Sequence, residues 1–408
     1  MKAMFVHEHK FVRDENGCYF SSGQFPYRLW RRYLEVFDEL VVVGRLRTLR
    51  AGETVRMLDQ SSGPGVSFLE VPSLGGIQAM MFGRREAAGK IRSAMADCDA
   101  VIIRTSAVGQ LAAGIAESLQ KPWAVEVVGC AFDSLWNYGS WLGKIYAPVA
   151  AYMNRRMIGR APFAIYVTQR FLQRRYPCPG VSVGCSDVQL VKRDEAVLAK
   201  RLARIGQSSF PLRIGLIGSL VHSHKGVDVA LRALAIAKQR FPVFEFKVLG
   251  TGDPVRWQRL AADCGVAPQT EFCGTLANGE AVNRWLDEVD LYIQPSRVEG
   301  LPRALVEAMS RACPALGSNA GGIPELLDPS CIHKVDDSQG LAGLLTTALT
   351  DREWRSRQAV RNYQAAAAYD SEVLEEVRRK FWRKFVAYCQ LRNETAGNRY
   401  DGVASIEH

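Results

Sequence analysis

The 408-residue sequence holds no uncharged apolar run of the roughly 18 residues that a membrane-spanning helix needs. The nearest approach, residues 145–153, is short and interrupted by Pro148. Its first residues give only a brief apolar stretch before His7, whereas a secretion signal needs roughly 7 to 15 apolar residues. These absences predict a soluble chain that stays in the cytoplasm. Cysteine occurs ten times, but never as a CxxC pair and never beside a His-rich segment. A disulfide framework and a Cys/His metal site are therefore weak readings, and reduced, mostly buried thiols are expected. Repeats and low-complexity tracts are missing as well.

The formal charge of +10 is unevenly distributed. Residues 1–180 carry 23 Lys+Arg against 15 Asp+Glu, and the remainder 29 against 27. In the first half the basic clusters Arg84-Arg85, Lys90, Arg92 and Arg155-Arg156, Arg160 accompany Trp141, Tyr146 and Tyr152. That pattern suits peripheral contact with an anionic membrane surface, at its inner face, or an acidic lipid-linked ligand, and equally a plain solvated basic face. No interleaved aromatic and basic recognition motif accompanies it, so nucleic acid is not an expected partner.

The length and the 48% hydrophobic content suffice for two separate cores. Short β-branched runs at residues 3–7, 40–43, 66–71, 99–103, 123–128 and 164–168 alternate with helical patterns. Continuous apolar runs of this kind mark strands buried on both faces of a parallel sheet. The pattern stops at Tyr176-Pro177-Cys178-Pro179-Gly180, which places a first domain at residues 1–180. A second alternation of strands and helices fills residues 188–370, so the expected class is α/β, two doubly wound Rossmann-like domains. A last helix over residues 371–392, acidic early and basic late, is expected to cross back to the first domain, followed by a frayed tail.

The segment Pro295-Ser296-Arg297-Val298-Glu299-Gly300-Leu301-Pro302-Arg303-Ala304-Leu305-Val306-Glu307 follows the apolar strand at 289–294. It reads as a strand end, a turn at Gly300 and a helix opening near Pro302, whose free amides suit a diphosphate. Glu299 lies in the turn and Glu307 more than one helical turn further on, so the two carboxylates can accept hydrogen bonds from different parts of one ligand. Taken alone, the spacing is also compatible with an ordinary strand-to-helix connection. Two further strand ends strengthen the functional reading. One runs Gly218-Ser219-Leu220 to His222, His224, Lys225 and Gly226, where Lys225 can place a point charge on a phosphate. The other is Gly250-Thr251-Gly252, where missing side chains permit close approach of a ligand.

Together these motifs, with Phe272-x-Gly274 and Gly321-Gly322-Ile323-Pro324-Glu325, make residues 212–327 resemble the retaining glycosyltransferases of family 4, which have the GT-B fold with two domains facing across a cleft. The resemblance is specific in the second domain and general in the first. It implies that Glu307 binds the ribose hydroxyls of a nucleotide-sugar donor, that Glu299 faces the transferred sugar, and that Lys225 holds the diphosphate. Gly218, Gly250, Gly252, Gly300, Leu301, Pro302 and Arg303 would line the donor, with Cys273 and Thr275 near the base. Where many relatives carry arginine, this chain has Ser219. Either Ser219 hydrogen bonds to phosphate, or Arg303 or a first-domain arginine supplies the missing cation. In the first domain Gly23 is the candidate phosphate-side glycine, and Asp133, with Glu126 behind it, the candidate polar group beside the reacting sugar. Glu126 lies inside a strand and could equally be structural.

The resemblance further implies transfer of a hexose to a hydroxyl of a glycan or lipid-linked acceptor, in bacterial surface-polysaccharide synthesis. Configuration would be retained by front-face attack, and no cofactor or metal is expected. Asp97-x-Asp99 looks like an acidic metal pair but precedes a strand away from the motifs. His7, His9 and His408 are expected at the surface or strand ends, and His222 and His224 in solvent. Two rival readings stay open: a GT-B-like sugar-nucleotide epimerase, and a nucleotide-sugar-binding subunit without turnover.

Overall fold

The computed structural model describes residues 1–23, 25–49, 52–72, 74, 77–207, 211–241 and 243–404. His408 and Gln24 lie outside the described residues. The first sheet contains β1 (Lys2–Arg13), β2 (Tyr19–Ser21), β3 (Glu39–Leu46), β4 (Asp59–Gln60), β5 (Val66–Glu70), β6 (Ala100–Arg104), β7 (Trp123–Val127), β8 (Phe163–Tyr166) and β9 (Val181–Gly184). Its parallel part runs β5-β3-β1-β6-β7-β8-β9, and β2 and β4 form an antiparallel ribbon on the far end of β1. β6, β7 and β8 are buried at every residue, as their apolar runs require of strands covered by helices on both faces.

Two features of this sheet depart from the sequence reading. β1 does not stop at His7. A register shift between Val6 and Lys10 carries it on to Arg13, where it meets β2. His7 thereby lies in mid-strand and largely covered, neither at the surface nor at a strand end as expected. β9 pairs with β8 beyond Gly180, so the first sheet continues four residues past the expected limit of residues 1–180, to Gly184.

The second sheet is fully parallel, in the order β12-β11-β10-β13-β14-β15. Its strands are β10 (Leu212–Ile217), β11 (Phe244–Leu249), β12 (Thr270–Phe272), β13 (Leu291–Gln294), β14 (Ala315–Ser318) and β15 (Ile332–His333). Strand order reverses between β10 and β13, and a crevice at such a switch point is where doubly wound sheets take ligands.

The chain returns to the first domain in a single helix, Ser371–Ala404, which continues past residue 392. Trp382 is fully buried against Tyr33, with ring centroids 5.5 Å apart. Phe163 meets Phe381, Phe385 and Tyr388 at 5.8, 5.3 and 5.3 Å. Among the described residues no helix is long and apolar enough to cross a membrane.

Candidate functional site

Glu299 sits in the turn between β13 and the Arg303–Ser310 helix and is 7% exposed. A carboxylate this deep needs donors, and Oε1 has three: Lys225 Nζ at 2.7 Å, Ser296 Oγ at 2.7 Å and Gln294 Nε2 at 3.1 Å. Lys225 comes from the loop after β10, so the Lys225–Glu299 pair ties together the two strand ends that flank the switch point. Gln294 and Ser296 were not singled out by the sequence reading. Their signal was a polar pair at period two closing an apolar strand, which puts both side chains on one face.

Glu307 is different. It is the fifth residue of the Arg303–Ser310 helix, largely buried, and its carboxylate accepts no hydrogen bond from any described residue. Burial pushes its pKa above the ordinary glutamate value, while Arg303 one turn earlier pulls the other way. Arg303 is exposed at the first position of that helix, beside amides that have no intrahelical partner. Arg297, by contrast, is committed to Asp228 (2.8 and 2.7 Å) and Asp336 (2.6 Å).

The glycines of these strand ends are closely packed. A Cβ on Gly250 would lie 1.9 Å from Gly218 O, one on Gly218 2.5 Å from Lys225 Cγ, and one on Gly226 1.9 Å from Pro295 O. The space left by the missing side chains at Gly218, Gly250 and Gly252 is taken up by the neighbouring loops, which is reason enough for glycine there. These glycines stack the loops after β10, β11 and β13 tightly enough for Lys225 to reach Glu299. Ser219 is exposed, and its Oγ accepts a hydrogen bond from Val221 N at 3.3 Å. Leu301 and Pro302 are buried. Cys273 Sγ borders a separate cavity of about 130 Å³ with Trp285 and Lys247, and Thr275 is exposed in the following loop.

The first domain faces these loops. A Cβ on Gly300 would fall 2.3 Å from Val128 O, which shows how closely the domains meet there. His224 Nε2 lies 3.1 Å from Asn137 O, and the His222 ring 5.4 Å from that of Tyr138. The two histidines therefore contact the opposite domain and are not simply solvated. Gly23, at φ +75°, occupies open space after β2, in a backbone conformation that favours glycine. Asp133 pairs with Arg175 at 3.3 Å. Glu126 is buried and engaged: it accepts from Tyr33 Oη at 2.6 Å and Arg104 Nε at 3.0 Å, and Arg104 continues to Asp187 at 2.7 Å. Asp99 accepts a hydrogen bond from the Lys2 amide at 2.7 Å.

Residues 211–351 match a family model described as glycosyl transferases group 1. Over 382 residues the chain is 31% identical to Protein CapJ of Staphylococcus aureus, a match covering 93% of this chain and 94% of that protein. A shorter match of 145 residues, at 34% identity, links it to the amylovoran biosynthesis glycosyltransferase AmsK of Erwinia amylovora, over 33% of this chain and 35% of that one. Among solved structures, HepE of Anabaena in complex with UDP is similar in fold, with TM-score 0.65 at 16% identity, over 94% of this chain and 100% of that one.

Proposed function

The chain belongs to the group 1 glycosyltransferases and has the GT-B fold, and from that premise we propose that it moves a hexose from a nucleoside-diphosphate sugar to a hydroxyl of a glycan or lipid-linked acceptor, with retention of configuration. One observation carries the donor assignment: Glu307 is a buried carboxylate without a protein partner, at the switch point, four residues beyond an exposed arginine. Vicinal ribose hydroxyls supply the two donors such a group lacks. Glu299, held rigid by Lys225, Ser296 and Gln294, presents its second oxygen, Oε2, to the transferred sugar.

Charge grows on the diphosphate as the glycosidic bond breaks. Lys225, Arg303 and the free amides opening the Arg303–Ser310 helix meet that charge, so Arg303 takes the place of the cation missing at Ser219. This reading needs no divalent metal, and turnover should be unchanged by EDTA. The test of the site is a pair of variants. Glu307→Ala weakens nucleotide binding about tenfold or more, and Glu299→Ala lowers transfer more than nucleotide affinity. If both bind and transfer like the parent, the assignment fails. A panel of UDP-, GDP- and ADP-sugars, scored by protection against thermal unfolding, identifies the base; UDP is the first to try, since HepE was solved with it.

The acceptor side rests on the Trp141–Ile158 helix. Trp141, Ile145 and Tyr152 are 70%, 65% and 64% exposed, and with Leu142 and Val149 they form one apolar stripe at helical spacing. Lys144, Arg155 and Arg156 accompany it, and the helix starts beside the Asn137–His224 contact at the cleft. Such a helix lies on an anionic bilayer without crossing it and would bring a lipid-linked acceptor to the donor. Flotation with phosphatidylglycerol vesicles tests this, and absence of salt-sensitive binding removes it.

A further inference from the structure

A second charged cavity lies between the Tyr27–Leu34 helix and the chain crossings between the domains. It has a volume of about 320 Å³, at the small end of ligand pockets, and none of Glu299, Glu307 and Lys225 lines it. Its walls are Arg28, Arg31 and Arg32 from the Tyr27–Leu34 helix, and Arg378 and Arg379 from the returning Ser371–Ala404 helix. Two carboxylates, Glu35 and Glu375, share the lining, and Asp187 and Glu376 reach its arginines from beside it.

The pairing within the cavity is uneven. Arg32 reaches Asp187 at 3.5 Å, Arg379 is bonded to Glu376 at 2.7 Å and lies 3.7 Å from Glu35, and Arg378 donates to Ser186 O at 2.9 Å. Arg28 and Arg31 form no ion pair with any described residue. Arg28 and Arg31 are exposed, so their guanidiniums are free to take an anion that enters beside the paired Arg32 and Arg379. Two unpaired guanidiniums, Arg28 and Arg31, beside three further arginines suit a ligand of high charge density. Condensed phosphates supply it, and guanidinium forks match their oxygens bidentately.

The position adds a consequence. The cavity floor includes Val188 and Gln189 from one chain crossing between the domains, and Ser371 from the other. Ser371 Oγ donates to Leu190 O at 2.8 Å, joining the two crossings. We infer that this hinge-side cavity binds a polyanion carrying two or more clustered phosphates, which would clamp the Tyr27–Leu34 helix to both crossings and so restrain the domain angle. The phosphates can belong to a soluble molecule or to a lipid headgroup.

Titration calorimetry with inorganic tripolyphosphate tests the inference, with a parallel arm measuring capture on phosphatidylcholine vesicles doped with a lipid diphosphate. The Arg28→Ala/Arg31→Ala variant, altered at two exposed positions, is expected to lose about tenfold or more in tripolyphosphate affinity. Arg84→Ala/Arg85→Ala, which removes the same charge elsewhere in the domain, should leave it unchanged. Loss of tripolyphosphate binding with vesicle capture intact assigns the cavity to a soluble ligand, and loss of both assigns it to headgroup phosphate. Equal weakening in the two double variants, unchanged affinity in Arg28→Ala/Arg31→Ala, or loss confined to Lys225→Ala overturns the proposal.

Discussion

Burial without a partner distinguishes Glu307 from Glu299, and it also makes Glu307 sensitive to pH. Its pKa is raised by desolvation, so the ionised form that accepts hydroxyl hydrogen bonds is lost at a higher pH than an ordinary glutamate would lose it. Nucleotide affinity should therefore begin to fall, as pH is lowered, while exposed carboxylates are still charged. The same shift has a sign for stability: the folded state holds the proton more tightly, so this residue's destabilising contribution disappears as pH falls through the raised value. Glu307→Gln should accordingly melt higher than the parent without ligand, yet bind nucleotide about tenfold more weakly. Calorimetry of the free and nucleotide-bound forms checks both halves. His7 acts in the opposite sense. Burial, with Arg104, His9 and Arg45 nearby, depresses its pKa well below 6.5, and its Nδ1 has no partner. Stability from its neutral form is present above about 6.5 and lost as pH drops below that, because only the unfolded chain takes up the proton readily. Urea midpoints at pH 7.5 and 5.5 should separate less in His7→Gln than in the parent.

Among the elements, the returning helix is the one whose anchoring is easiest to test. Trp382 is fully enclosed among Tyr33, Phe381 and Phe385, so Trp382→Ala should destabilise the protein by about 3–5 kcal/mol. Proteolysis within residues 371–392 should become faster if the helix loosens before the rest of the fold. This helix was legible in the sequence because its charge gradient and its length are local properties. So were β6, β7, β8, β10 and β13, whose apolar runs are buried on both faces. β2, β4 and β9 were not, since two to four half-exposed residues carry no period, and only their partners make them strands. The site divides in the same way. Glu299, Glu307 and Lys225 stood out through the order of motifs along the chain. The contacts of His222 and His224 did not, because Tyr138 and Asn137 lie in the other domain and only the folded chain brings them near.

At the scale of the whole molecule, the angle between the domains decides whether the acceptor meets the donor, and a few contacts set that angle. Arg193 makes two hydrogen bonds to Asp370, at 2.6 and 2.8 Å, across the two chain crossings. Glu325, in the second domain, accepts hydrogen bonds from three consecutive first-domain amides: Gln169 N at 2.7 Å, Arg170 N at 3.0 Å and Phe171 N at 2.5 Å. These amides open the short Phe171–Arg175 helix, so a carboxylate there is doubly favoured. Glu325 belongs to the Gly-Gly-Ile-Pro-Glu segment whose first glycine, at φ +56°, packs on the Glu299 carbonyl. One short segment therefore seats the Glu299 turn and grips the opposite domain. Glu325→Gln keeps the shape but weakens the grip by about 1.5–3 kcal/mol, the worth of hydrogen bonds to a charged group. The expected result is a lower kcat with nearly unchanged nucleotide affinity, and a larger radius of gyration by small-angle scattering, because Glu307 and Lys225 stay in place while the first domain swings more freely. A variant that loses nucleotide affinity in parallel with kcat would show that Glu325 supports the donor turn itself and not the closure of the two domains.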